Sequence, residues 1–143
     1  MIEIDSSTIV SSITRALKNK YQDVNIYKDK KLQGLVKPCF FVFQLNIEQR
    51  KISKEIYSRD ILINVRYHSD LKRYEIDKVA FDLLDLFREI KTEEGLILRP
   101  KKEIKYEVSD DVLQIFIPYK INVIRNEENG VTMNKLESKG VEI

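Results

Sequence analysis

Residues 38–47, PCFFVFQLNI, alternate in a way that only an extended chain can use. Phe41, Phe43, Leu45 and Ile47 fall on one parity; Phe40, Val42, Gln44 and Asn46 fall on the other. A repeat of two built from aromatic and β-branched residues predicts a strand with a buried face. The odd parity is apolar throughout and is expected to form the core beneath a helix. The even parity begins apolar and turns polar at Gln44, so it is expected to face outward. Ile61, Ile63, Val65 and Tyr67 repeat the pattern, and the two runs predict a long hairpin.

Between those runs lies EQRKISKEIYS, residues 48–58, which holds no Gly, Pro, Asn or Asp. Short hairpin loops use those residue types to reach positive φ. Their absence predicts strands that continue outward to a charged tip. Arg50, Lys51, Lys54 and Arg59 stand there against Glu48, Glu55 and Asp60. The tip reads either as a solvated loop or as an arm that orders against a neighbour.

Two helices are expected. In residues 5–21, Asp5, Ser6 and Ser7 offer N-caps, and Ile9, Ile13, Ala16, Leu17 and Tyr21 recur at helical spacing. A second helix starts after Ser69 or Asp70 and runs to about Ile90. Its stripe is Ile76, Val79, Ala80, Leu83, Leu84, Phe87 and Ile90, broad enough to need a sheet beneath it. Short strands are expected at residues 24–27, 96–98 and 104–108. After the turn signal Ser109-Asp110-Asp111, residues 113–123 alternate at length. Pro118 cannot donate to a ladder, which predicts an edge strand or a bulge there. The class is therefore α+β: a mostly antiparallel sheet with a long β-hairpin and two helices packed on one face. Residues 1–124 are expected to form one domain, and the polar residues 125–143 an extended C-terminal tail.

Composition narrows the function mainly by exclusion. The 143 residues are 43% hydrophobic and 34% charged, as in a globular protein with a real core. Twenty-five basic and 23 acidic residues leave a net charge of +2, which argues against a dedicated nucleic-acid binder. The basic segments 28–37 and 99–105 keep that reading as an alternative, one that a steep salt dependence of DNA affinity would support. Cys39 is the single cysteine, so no internal disulfide forms and a reducing compartment is expected. No signal peptide or membrane-spanning run is expected.

Catalytic chemistry finds little to work with. His68 is the only histidine, and Cys39 sits beside Phe40 and Phe41, which predicts a buried thiol. Acidic pairs occur only in expected turns or the tail, and the four glycines are too dispersed for a phosphate loop. No enzymatic activity, cofactor or metal is expected. What remains is surface of little use to a monomer: Phe40, Val42, Leu62 and Phe116 are apolar on the parity expected to face out. In the tail, Met133, Leu136 and Val141 add further apolar contacts, and a tail of this kind can add a strand to a neighbour's sheet edge.

The layout as a whole resembles the tail terminator family protein of phages and prophage-like elements from Gram-positive bacteria. The resemblance rests on the order helix, VNIYK, GLVKPCFFVFQLN, a strand ending in Tyr67-His68, a long helix, then KYEVSDDVLQIFIPYKINV. It implies a structural component of a virion or of a headless, tail-like bacteriocin particle, assembled in the host cytoplasm. It implies a hexameric ring that caps the tail tube, stops its growth and offers a platform to the neck or head connector. In contractile tails the ring also meets the end of the sheath. The implied partners are other copies of the chain, the tail tube protein, the sheath and the connector, with no membrane and no specific nucleic acid. Another neck component, a head-completion or stopper protein, is the alternative within the same class.

Overall fold

The structure, a computed structural model, describes residues 4–28, 34 and 36–125. The elements in chain order are α1 (Ser6–Lys20), β1 (Asn25–Tyr27), β2 (Cys39–Lys51), β3 (Ile56–His68), α2 (Arg73–Leu86), β4 (Ile90–Lys91), β5 (Ile97–Leu98), β6 (Lys105–Ser109) and β7 (Val112–Ile124). Five strands form one sheet in the order β1-β2-β3-β7-β6, and β4 pairs with β5 separately. The sheet is mostly antiparallel, with β1 and β2 parallel, so the α+β expectation is met. Residue contacts divide the chain into two compact units, Met1–Asn46 with Ile61–Tyr119, and Ile47–Asp60 with Lys120–Ile143.

In the first unit, α1 begins where Asp5 accepts from the Thr8 amide at 2.9 Å, satisfying a free N–H of the first turn. Lys18 and Lys20 in the last turn oppose the negative end of the helix dipole. Ile9, Ile13 and Leu17 are fully buried. The helix lies on the even side of β2. Tyr21, its C-cap, packs on Phe40 with centroids 5.3 Å apart, and the Ser6 hydroxyl donates to Gln44 Oε1. Phe40 packs in turn on Tyr67 at 4.8 Å. α2 covers the same side of the sheet. Its Asp77 accepts from Tyr106 Oη, and Tyr106 pairs with Ile115, one of the buried odd residues of β7.

This reverses the expected facing of β2. Phe40 and Val42 are fully buried under the helices, whereas Leu45 is 43% exposed. The even parity turns polar at Gln44, an exposed residue that meets the polar first turn of α1. Phe40 and Val42 are therefore core residues.

Three further differences have local causes. Ser69 accepts from the Leu71 amide in a turn, and α2 starts only at Arg73, where Glu75 reaches back to the Lys72 amide. The helix stops at Leu86, yet Phe87 and Ile90 stay buried, so the apolar repeat outlasts the helical backbone. Pro118 lies in an interior strand, β7, and not at an edge of the sheet. The pairing of β6 with β7 ends at Phe116, and beyond it the Pro118 carbonyl accepts from the Lys101 amide. The turn at Asp110 and Asp111 is as expected, with both residues at positive φ, as a tight β-hairpin requires.

In the second unit, β2 and β3 continue past residues 47 and 60 to the hairpin end, as the missing turn residues predict. The Ile52 and Ser53 amides both donate to the Ile56 carbonyl. The Arg125 amide donates to the Glu55 carbonyl at 2.7 Å.

Phe40→Ala is expected to destabilise the fold by about 3–5 kcal/mol in urea titration. Leu45→Ser is expected to stay within about 0.5 kcal/mol. Equal losses at the two positions would contradict the reversed facing.

Candidate assembly surface

The side of the sheet opposite the helices, within the first unit, is the candidate surface. β2 places Phe41, Phe43 and Leu45 on it, and β3 places Leu62, Asn64, Arg66 and His68 there by the same alternation. Ring contacts fix the correspondence: Phe41 packs on His68 at 5.2 Å, and the Arg66 guanidinium lies 5.2 Å from the Phe43 centroid. Tyr27 covers Phe41 from β1 at 5.3 Å, which leaves Phe41 buried. Phe43, Leu62 and Phe116 are half-buried.

Polar groups on this side are held in place. Asn64 is fully buried, donates to the Ile115 carbonyl at 3.2 Å and accepts from Arg66 Nε at 2.9 Å. That bond and the Phe43 ring hold the Arg66 guanidinium against the sheet. The result is an apolar strip around a positioned cation, a composition favoured at protein contacts. Of the four residues expected on an intersubunit surface, Leu62 and Phe116 lie on this open side, while Phe40 and Val42 lie beneath the helices. Phe43 and Leu45 were missed, because the unbroken apolar run 40–43 hides which parity the helices cover.

At the hairpin end, Arg50, Lys51 and Lys54 are exposed. Arg59 is half-buried and donates to Gln49 Oε1 at 2.7 Å across the hairpin, so it braces the arm. Met133, Leu136 and Val141 lie outside the described residues. Phe81 is a further residue that the sequence reading passed over. It sits off the apolar stripe of α2, is 61% exposed and packs edge-on against Tyr106 at 6.2 Å. An aromatic residue outside the stripe was the available signal.

A cleft of about 280 Å³ is lined by Lys37, His68, Asp70, Asp110 and Asp111 among others. Lys37 and Asp70 pair at 3.7 Å on exposed surface, a weak contact. Among the described residues, no group of three or more His, Cys, Asp or Glu could hold a metal ion, and no helix is long and apolar enough to cross a membrane. The Cys39 thiol is buried, and burial pushes its pKa up against a smaller opposing pull from Lys37.

The family model for phage tail terminator protein matches residues 8–131. The chain belongs to the phage tail terminator protein family. It is accordingly a structural protein of the tail, working with other tail components of a virion. No curated protein matches it. One solved structure aligns with 87% of this chain and 98% of its own at 13% identity and a TM-score of 0.43.

Burial first, then Lys37 and Arg66, lower the His68 pKa from the ordinary 6.5. Just below pH 6.5 the unfolded chain therefore binds more protons than the folded one, and stability falls as pH drops through that window. The urea midpoint is expected to decline on acidification below pH 6.5, and His68→Gln to flatten that part of the profile. An identical profile in the variant would count against this role for the imidazole.

Proposed function

We propose that six copies of this tail terminator associate head-to-tail into a ring that caps the tail tube, stops its polymerisation and offers the neck or collar interface. Family membership carries the tail role, and the open side of the sheet supports the ring. Phe43, Leu45, Leu62 and Phe116 place apolar area where a monomer would expose it, and burying such area is worth about 25 cal/mol per Å². A contact that closes a ring joins two different patches of the same chain. The open side is one such patch, and a sheet edge is the second. β1 pairs with β2 only over Cys39–Phe41, so past Phe41 the outer edge of β2 has no strand neighbour among the described residues.

In this reading the exposed Arg50, Lys51 and Lys54 reach the tube and, in a contractile tail, the sheath, with Arg59 holding the hairpin rigid behind them. Residues 1–124 supply the body and residues 125–143 a tail, whose Met133, Leu136 and Val141 make apolar contacts. The role is structural, without catalysis, cofactor, membrane or specific nucleic acid. Assembly takes place in the host cytoplasm before the ring joins a virion or a tail-like particle.

Light scattering is expected to give a closed oligomer, free or on tube ends, and a strictly monomeric protein that ignores tube ends would overturn the reading. Leu62→Asp with Phe116→Asp should return the protein to monomers while its circular dichroism stays native. Arg50→Glu, Lys51→Glu and Lys54→Glu together should preserve fold and ring but give tubes of uncontrolled length in electron micrographs. Normal tube lengths on loss of the whole protein would favour a stopper instead.

A further inference from the structure

The outer edge of β6 is the second unclaimed feature of the first unit. β6 is the last strand of its sheet, so beyond it the Lys105–Ser109 backbone meets no strand among the described residues. Unpaired edges are templates for another chain unless charge, proline or a cover blunts them. Here the edge strand is KYEVS, with its half-buried Tyr106 and Val108 turned toward α2. Beside it α2 exposes Phe81, packed on Tyr106, while the Asp77 carboxylate accepts from Tyr106 Oη at 3.3 Å and fixes that ring. The edge is thus flanked by a positioned aromatic pair.

The chain itself contains a segment of matching pattern. The eighteen residues after Arg125 include a four-residue alternation, Val131-Thr132-Met133-Asn134. Val131 and Met133 share a parity, and methionine adapts its shape to an aromatic surface. Glu127 and Glu128 precede the stretch, and Lys105 lies exposed at one end of β6. Extended at roughly 3.3 Å per residue, the chain from Arg125 to Val131 spans about 20 Å.

We propose that the C-terminal segment of one copy adds a sixth strand to the outer edge of β6 in the next copy, seating Val131 and Met133 on the Phe81–Tyr106 pair. Main-chain bonds to β6 supply the affinity, and the aromatic pair selects the register. The proposal rests on the ring of copies proposed for the tail end, in which each copy clasps its neighbour.

The test uses two full-length chains produced together, one tagged and carrying Thr132→Cys, the other untagged and carrying Glu107→Cys. Both positions fall on the side of the added pair away from α2, and the native Cys39 is fully buried. A short bismaleimide is expected to join tagged to untagged chains, with light scattering reporting assembly in the same sample. Phe81→Ser in the second chain should lower the yield by about fivefold, as truncating an aromatic anchor does. An assembled oligomer without mixed crosslinks overturns the strand addition and leaves the ring intact. Monomers without crosslinks overturn both. A chain carrying both cysteines that links only within itself places the segment on its own copy and overturns the exchange. An unchanged yield with Phe81→Ser overturns the aromatic seat.

Discussion

Phe40 sits between Tyr21 at the end of α1 and Tyr67 in β3, and this contact decides which side of the sheet is dry. It anchors one end of α1, and the Ser6–Gln44 hydrogen bond anchors the other. Held at two points, the helix must cover the even side of β2. Ile63, Val65 and Ile115 are then buried on the same side, and α2 closes over Ile115 through Tyr106. Aromatic pairs at such spacing add about 0.5–1.5 kcal/mol each beyond the area they bury.

Covering one side of a sheet defines the other. Phe43, Leu45, Leu62 and Phe116 keep apolar atoms in contact with water, while Asn64 and Arg66 meet their hydrogen-bonding needs locally. Such a surface is ordinary for a part of an assembly and wasteful in an isolated domain. A tail terminator is made to be assembled.

The elements whose signal is local were legible. Asp5 caps α1, the Asp110-Asp111 turn closes β6 onto β7, and the absence of turn residues between 48 and 58 does correspond to strands that run on. Misreadings arose where a nonlocal partner changes the meaning of a residue. Gln44 is exposed as its polarity implies, but its partner Ser6, which places α1 on that side of β2, lies far away in sequence. Ile90 looked helical because burial every three to four residues continued after the backbone had turned into β4. Pro118 suggested an edge or a bulge; β7 is interior, and its pairing with β6 ends before the proline.

By itself the sequence determined which segments are extended, which are helical, where the hairpins turn, and that the sheet needs a helical cover. Those properties depend on side-chain periodicity and on the φ range of single residues, both written into a few neighbouring positions. Which parity of β2 lies beneath the helices was left to the tertiary structure. With Phe40, Phe41, Val42 and Phe43 all apolar, either side can be buried at similar hydrophobic gain. The choice falls to the fit of Tyr21 and Tyr67 around Phe40, a contact among residues that meet only when the chain has folded.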